Sequence, residues 1–153
     1  PCALEVRDRS WLIPPALEFV GRLGLNLCDI DICQAGDSVP PGSITTGPLG
    51  YVRLHGRNHE AWFDKHAHRD RKYDYLYSRD ELEGVVERLL RVAGQTERAV
   101  LVTNNHYGGQ ALANALEVKG LVEGTPPLAP TVLREAFPHL AEHTRPEGQQ
   151  SLF

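Results

Sequence analysis

The residues best suited to chemistry lie in Tyr51-Val52-Arg53-Leu54-His55-Gly56-Arg57-Asn58, a short apolar strand that ends in a polar cluster. Side chains alternate faces along a strand, so Val52 and Leu54 share one side while Arg53 and His55 share the other. Arg is seldom buried without a partner, which makes an Arg and a His on one face of such a strand informative. Arginine offers a planar fork of donors that fits carboxylate or phosphate, and histidine can donate or relay a proton near neutral pH. Glu5 with Arg7 near the N-terminus, and Asp29 in the next apolar run, carry the same kinds of chemistry. Together they describe either an anion-binding pocket or an internal ion-pair network of the type Glu5–Arg53 or Asp29–Arg7. The pocket is the expectation taken forward, because several strands deliver polar ends to one side.

Four further groups are candidates. Asn104-Asn105-His106-Tyr107-Gly108-Gly109 leads from a strand into a helix, whose free amides and positive dipole end favour an anion; a tight turn explains the glycines equally well. His55, His59, His66 and His68 invite a divalent-metal reading. Lys65, Arg69, Arg71 and Lys72 would repel a cation, so a solvated loop is preferred and no metal ligand or cofactor is assigned. Trp62, Phe63, Tyr73, Tyr75 and Tyr77 interleave with these basic residues and suit either stacking of bases or sugars, or self-packing over the fold. The final residues, Gln149-Gln150-Ser151-Leu152-Phe153, resemble the peptide by which bacterial replication and repair proteins dock on the DNA sliding clamp. Gln149, Leu152 and Phe153 would be its anchors; packing of the two apolar residues back on the domain is the alternative.

Composition sets the frame for these candidates. The chain has 153 residues, 41% hydrophobic and 24% charged, enough for one domain with a core. No apolar run approaches a membrane span and no signal-peptide pattern is present. Three cysteines, Cys2, Cys28 and Cys33, are too few and odd in number for a disulfide framework, so a reducing, cytoplasmic setting is expected. A formal charge of −4 gives no overall attraction to nucleic acid, yet the span 53–72 holds six Lys/Arg and four His against three Asp/Glu. Such a local basic patch is compatible with phosphate binding. The chain opens at Pro1 inside an apparent strand and without Met, which reads as a fragment or a truncated frame.

The elements that position the candidates follow from pattern. Strands are expected over 3–7, 25–31, 51–55 and 98–103, with Asp29 and Asp31 on one face of the second and Cys28 and Ile30 on the other. Pro14-Pro15 opens a helix that closes near Gly24. Segment 33–48 is rich in Gly, Pro, Ser and Thr and is expected to be loop, as is 56–77. Ser78-Arg79-Asp80-Glu81 has capping-box form ahead of Leu82, Val85, Val86, Leu89, Leu90 and Ala93 at helical spacing. An alanine-rich helix follows Gly108-Gly109. After Gly124, five prolines leave room for a short helix near 131–137 and a flexible end. The sequence thus divides into 1–124 and a Pro-rich tail, 125–153. The alternation of strand and helix is the rhythm of a parallel β/α sheet, whose polar strand ends would gather Glu5, Arg7, Asp29, Asp31, Arg53, His55, Thr103 and Asn105. Four strands are half of a closed barrel, and self-association is one way to complete it.

Several motifs in order resemble the YecE-like family: Glu5-Val6-Arg7 with Trp11, Tyr51-Val52-Arg53-Leu54-His55-Gly56, Tyr73-Asp74-Tyr75-Leu76-Tyr77-Ser78, and Asn104-Asn105-His106 with Asn114-Ala115. The resemblance runs from about Ala3 to Leu121. It implies a TIM-like α/β barrel of unknown function, of which this chain matches the C-terminal half. The expected function is binding of a phosphate-bearing ligand, a nucleic-acid phosphodiester among the candidates. Arg7, Arg53, Arg57, Asn58 and Tyr75 would contact the ligand, and Asn104 and Asn105 would orient it. If catalysis occurs, phosphodiester hydrolysis is expected, with His55 or His106 moving protons. The alternatives are an enzyme acting on a small anionic metabolite, with Glu5 and Asp29 as base, and an inert scaffold.

Overall fold

A computed structural model describes residues 1–64, 66 and 68–148. Four strands, β1 (Cys2–Leu4), β2 (Leu25–Ile32), β3 (Leu49–Gly56) and β4 (Arg98–Thr103), form one all-parallel sheet in the order β1-β2-β3-β4. Helix α1 (Pro14–Arg22) connects the first pair. The short α2 (His59–Phe63) and the long α3 (Arg79–Ala93) connect β3 to β4, and α4 (Gln110–Glu123) follows. The last segment contains β5 (Leu128–Ala129), α5 (Thr131–Ala136) and β6 (Arg145–Pro146), with β5 and β6 paired in parallel.

Helix α3 begins where the sequence places it. Ser78 Oγ accepts from the Glu81 amide, and the Glu81 carboxylate accepts from the Ser78 amide at 2.9 Å. Its apolar stripe, Leu82, Val85, Val86 and Val92, packs on Val52 and Leu54 of β3 and on Val118 of α4. Leu54 and Leu82 are fully buried, each contributing about 1.5–3 kcal/mol of apolar transfer. A second cluster joins Val6, Leu27, Cys28, Ile30, Ile32 and Val39. Residues 125–148 are not loose where described: Leu133 and Leu140 pack on Ala113 of α4, with Phe137 beside them.

Strand β3 runs two residues earlier and one later than the pattern places it, and larger departures lie at β1 and in segment 56–77. Strand β1 ends at Leu4 rather than Arg7, because Val39, not β2, donates to the Arg7 carbonyl at 3.0 Å. The expected loop 56–77 contains α2, capped by Asn58, whose side-chain oxygen accepts from the Ala61 amide at 3.1 Å. A 3₁₀ turn, Arg69–Tyr73, lies in the same segment.

The register decides which face each charge occupies. Asp29 pairs with Val52 and Asp31 with Leu54, whereas Ile30 pairs with Arg53. Paired residues on parallel strands point the same way. Asp29 and Asp31 therefore point toward α3, and Arg53 and His55 point away from it. The expectation that all the polar strand ends gather on one side is corrected: they divide between the two faces. Asn105 likewise turns to the helix side, where it is fully buried.

Candidate functional site

On the face opposite α3, the end of β1 delivers Glu5 and the end of β3 delivers Arg53 and His55. Glu5 is the centre of the group. One carboxylate oxygen accepts from Arg7 Nε at 3.1 Å and Nη2 at 3.0 Å, and the other accepts from Arg53 Nη1. His55 Nε2 lies 3.2 Å from that second oxygen, and Asn104 Nδ2 lies 3.0 Å from His55 Nδ1. With the Asn104 amide donating, the ring proton sits on Nε2 and points to Glu5. The hydrogen bond from His55 is the largest influence on Glu5. Burial opposes it, and electrostatic attraction to His55 and Arg53 with the Arg7 hydrogen bond adds to it, holding the carboxyl down to about 2. Glu5 is thus an ionised anchor at neutral pH.

Around this group stands a basic and aromatic rim. Arg7 and Lys72 each lie 5.9 Å from the ring of Trp62, within cation–π range. Tyr73 stacks at 4.9 Å from His106, with His55 at 6.1 Å on the same ring. His106 is exposed, and its Nδ1 lies 3.0 Å from the Asn104 carbonyl. Nδ1–H donates there in the neutral ring, leaving Nε2 as the basic atom. Below the rim a cavity of 360 Å³ is lined by Ala3, Glu5, Cys28, Tyr51 and Arg53, together with Pro1 and Cys2. Arg53 keeps 29% of its side chain exposed there, and Arg7 keeps 53%.

The remaining expected site residues lie elsewhere. Asp29 and Asp31 are buried beneath α3. Arg57 clamps Asp31 with Nε at 2.7 Å and Nη2 at 2.8 Å, and reaches Glu81 with Nη1 at 2.9 Å. Arg88 of α3 donates to Asp31 at 3.0 Å, and its Nε stands 2.7 Å from Asp29 as an ion pair without hydrogen-bond alignment. Tyr77 completes the cluster, donating to Asp31 at 3.0 Å and accepting from the Gly56 amide at 2.9 Å. Burial pushes both aspartates up. Arg57 and Arg88 outweigh it at Asp31, which ends below the ordinary range; at Asp29 Arg88 and the Gly42 amide do not, and it ends above. The sequence-based pairings divide accordingly: Glu5 meets Arg53, whereas Asp29 meets Arg88 instead of Arg7. As a joint base, Glu5 and Asp29 are separated by the sheet itself.

Tyr75 donates to Glu81 at 2.7 Å, at the edge of the buried cluster. Asn58 caps α2 and donates to the Arg71 and Asp74 carbonyls, which fixes the turn under the aromatic rim. Asn105 donates to the Tyr75 carbonyl and to Asn114, each at 2.8 Å. Gln149, Leu152 and Phe153 lie outside the described residues. Among the described residues, no three His, Cys, Asp or Glu side chains gather as a metal site. No helix among them is long and apolar enough to cross a membrane.

Gly56 explains how one strand serves both clusters. His55 and Arg57 are two residues apart and would share a face on a regular strand. Gly56 has φ +92°, and a Cβ there would stand 2.8 Å from Tyr75 Cβ. The left-handed residue breaks the alternation and sends Arg57 to the helix side. Arg88 and Asp31 escaped the sequence analysis as partners. The available signal was an arginine three residues after Val85, on the apolar stripe of α3.

Residues 1–136, which include every motif of the resemblance described above, match the family described as "Protein of unknown function DUF72". The chain belongs to this family. It is 32% identical over 132 residues to the UPF0759 protein YunF of Bacillus subtilis (strain 168), covering 80% of this chain and 47% of YunF. A solved DUF72 family protein from Thermotoga maritima MSB8 superposes with a TM-score of 0.73 at 33% identity, over 79% of this chain and 45% of that one. One from Enterococcus faecalis V583 gives 0.73 at 29%, over 80% and 47%. The chain spans about half the length of these DUF72 relatives.

Proposed function

We propose that this DUF72 member binds a phosphate-bearing ligand at the mouth formed by Glu5, Arg7, Arg53, His55, Asn104 and His106. The observation that carries this reading is the convergence of Arg7, Arg53 and His55 on one singly charged carboxylate, with His106 exposed on the rim beside them. Arg7 and Arg53 outnumber Glu5, so the group keeps positive charge while its geometry is fixed by the anchor. Trp62 and Tyr73 supply flat faces beside the cations, which suits a nucleotide or a nucleic-acid phosphodiester. In the fold underlying the proposal, the four strands are one half of a TIM-like barrel, the C-terminal half of the YecE-like arrangement, with 125–153 as its tail. Such barrels bind ligands at the C-terminal ends of their strands. Arg57, Asn58, Tyr75 and Asn105 then support the site from behind rather than touch the ligand.

If the ligand is hydrolysed, His106 is the proton carrier, because its side chain is exposed and its Nδ1 bonds the Asn104 carbonyl, whereas His55 is buried with both ring nitrogens engaged. Arg53 and Arg7 would hold the charge that develops on the phosphoryl oxygens, with Asn104 fixing His55. A Glu5 carboxyl near 2 is mismatched to general-base work at neutral pH, which weighs against the acidic-pair alternative. The 360 Å³ cavity favours a second reading, a small anionic metabolite. The test is fluorescence anisotropy with a labelled single-stranded oligonucleotide over a salt series, with inorganic phosphate as competitor. Binding that falls with salt and drops at least tenfold in Arg53→Ala supports the phosphate site; unchanged affinity in that variant overturns it. Salt-independent protection by a small anion alone would favour the metabolite.

We further propose that Gln149, Leu152 and Phe153 dock the chain on a bacterial sliding clamp. Loss of clamp binding on removing Leu152 and Phe153 is the expected result, and equal binding by both forms would exclude this tail.

A further inference from the structure

We propose that the groove between α3, α4 and the tail binds a small organic cation, a linear primary amine, with the Glu117 carboxylate as its receptor. The site is separate from the mouth on the open face, and the inference holds whichever ligand that mouth takes. Glu117 lies midway along α4 and keeps only 2% of its surface exposed. Among the described residues one group donates to it, Asn114 Nδ2, at 3.0 Å from Oε2. His139 Nε2 stands 3.6 Å from the same oxygen, beyond hydrogen-bond reach. Oε1 is left without a donor among them. An ionised carboxyl enclosed in this way is costly unless a cation or further donors meet it. Asn114 has nothing more to give. Its Oδ1 accepts from the Tyr77 amide at 3.1 Å and from Asn105 Nδ2 at 2.8 Å, and its Nδ2 also donates to the Tyr77 carbonyl at 3.1 Å. All four of its positions are filled, which fixes Glu117 in place.

The missing partner has a place to sit. A cavity of 360 Å³ opens against Glu117, walled by Leu76, Tyr77, Ser78 and Arg79 at the approach to α3 and by His139 and His143 of the tail. His139 belongs to the 3₁₀ turn Pro138–Glu142, and His143 follows it. The cavity lies between two consecutive helices that pack on each other, in the helical layer and at neither free edge of the sheet. Its walls are therefore formed by the described segments themselves. Among the lining residues Arg79 is the one arginine or lysine, and Glu83 lies 3.5 Å from its Nε. An adjoining cavity shares Arg79 and His143 and adds Glu142, so the groove sets two carboxylates against one arginine. Leu76 and Tyr77 offer an apolar wall to an alkyl stem while its charged head meets Glu117. Among the described residues Glu117, His139 and His143 do not converge as a metal ligand set, so an organic cation is the match.

The test is an NMR titration of the full chain with n-pentylammonium chloride, with sodium chloride at equal ionic strength and 1-pentanol as controls. The expected result is a saturable shift of the Leu76 methyl signals and of the Ser78 and His139 amides with the amine alone. Glu117→Gln keeps an acceptor for Asn114 and should bind the amine about tenfold more weakly or worse. Glu83→Gln, at an exposed carboxylate, should bind as the wild type does. Leu76→Trp fills the cavity from its exposed side, leaves the carboxylate untouched and should also block the amine. No saturable shift up to about 10 mM amine overturns the proposal. Equal shifts with 1-pentanol, or undiminished affinity in Glu117→Gln or Leu76→Trp, overturn it as well. Nα-acetyl-lysine amide carries the same head on a peptide stem, and binding tighter than that of pentylammonium would overturn the assignment to a free amine.

Discussion

The two faces of the sheet use the same residue types in opposite ways. Beneath α3, Asp29, Asp31, Arg57 and Arg88 form a group in which Asp31 is inaccessible and two arginines converge on it. On the open face, Glu5, Arg7, Arg53 and His55 form a group with the same carboxylate-centred plan, but its central carboxylate keeps 18% of its side chain in solvent where Asp31 keeps none, and Arg7 keeps 53% where Arg88 keeps 9%. A buried charge pair adds little net stability over apolar residues yet is costly to break, because the survivor is stranded away from water. An accessible pair is inexpensive to break and free to exchange its partner for a ligand. Burial, not residue identity, separates the structural cluster from the candidate site.

The sharpest way to break this comparison is Arg88→Met. Removing the cation leaves Asp29 and Asp31 underpaired, and the expected loss is about 3–5 kcal/mol in urea unfolding. Tyr77→Phe takes away one donor to Asp31 and one acceptor for the Gly56 amide, and should cost about 1–3 kcal/mol. On the open face the corresponding changes should be mild in stability and distinct in pH dependence. Glu5 is held near 2, below its ordinary 4.5, so the unfolded chain takes up the proton first as pH falls. Its contribution is therefore complete above about pH 4.5 and disappears toward about pH 2. Unfolding midpoints followed across that window should lose about one proton of linkage in Glu5→Gln. Arg7→Ala should be the smallest, about 0.5 kcal/mol or less, because the pair is exposed. If Arg7→Ala destabilises as much as Arg88→Met, the distinction between the faces fails.

Much of the frame was legible in the sequence because it depends on local rules. The capping box at Ser78 and Glu81, the Leu82, Val85 and Val86 part of the α3 stripe and the span of β4 each follow from neighbouring residues, whereas Leu90 and Ala93 of the expected stripe are exposed and Val92 is buried in their place. The Glu5–Arg53 pair was legible as one of two pairings, since both residues end apolar strands. The partition of the aspartates was not, because it depends on register between β2 and β3, which no single segment encodes. Arg88 was hidden by its setting: an arginine on an apolar stripe reads as a long surface side chain until its partners are known. Helix α2 escaped because its five residues are too short for a period, and only Asn58 marks its start.

The left-handed turn at Gly56 also bears on how this segment can change over generations. Because it assigns its two neighbours to different faces, codons 55 and 57 answer to separate constraints although they are almost adjacent. In a saturation library screened once for abundance and once for ligand capture, position 57 should be depleted in the first screen and position 55 chiefly in the second. Position 56 should tolerate no residue but glycine in either.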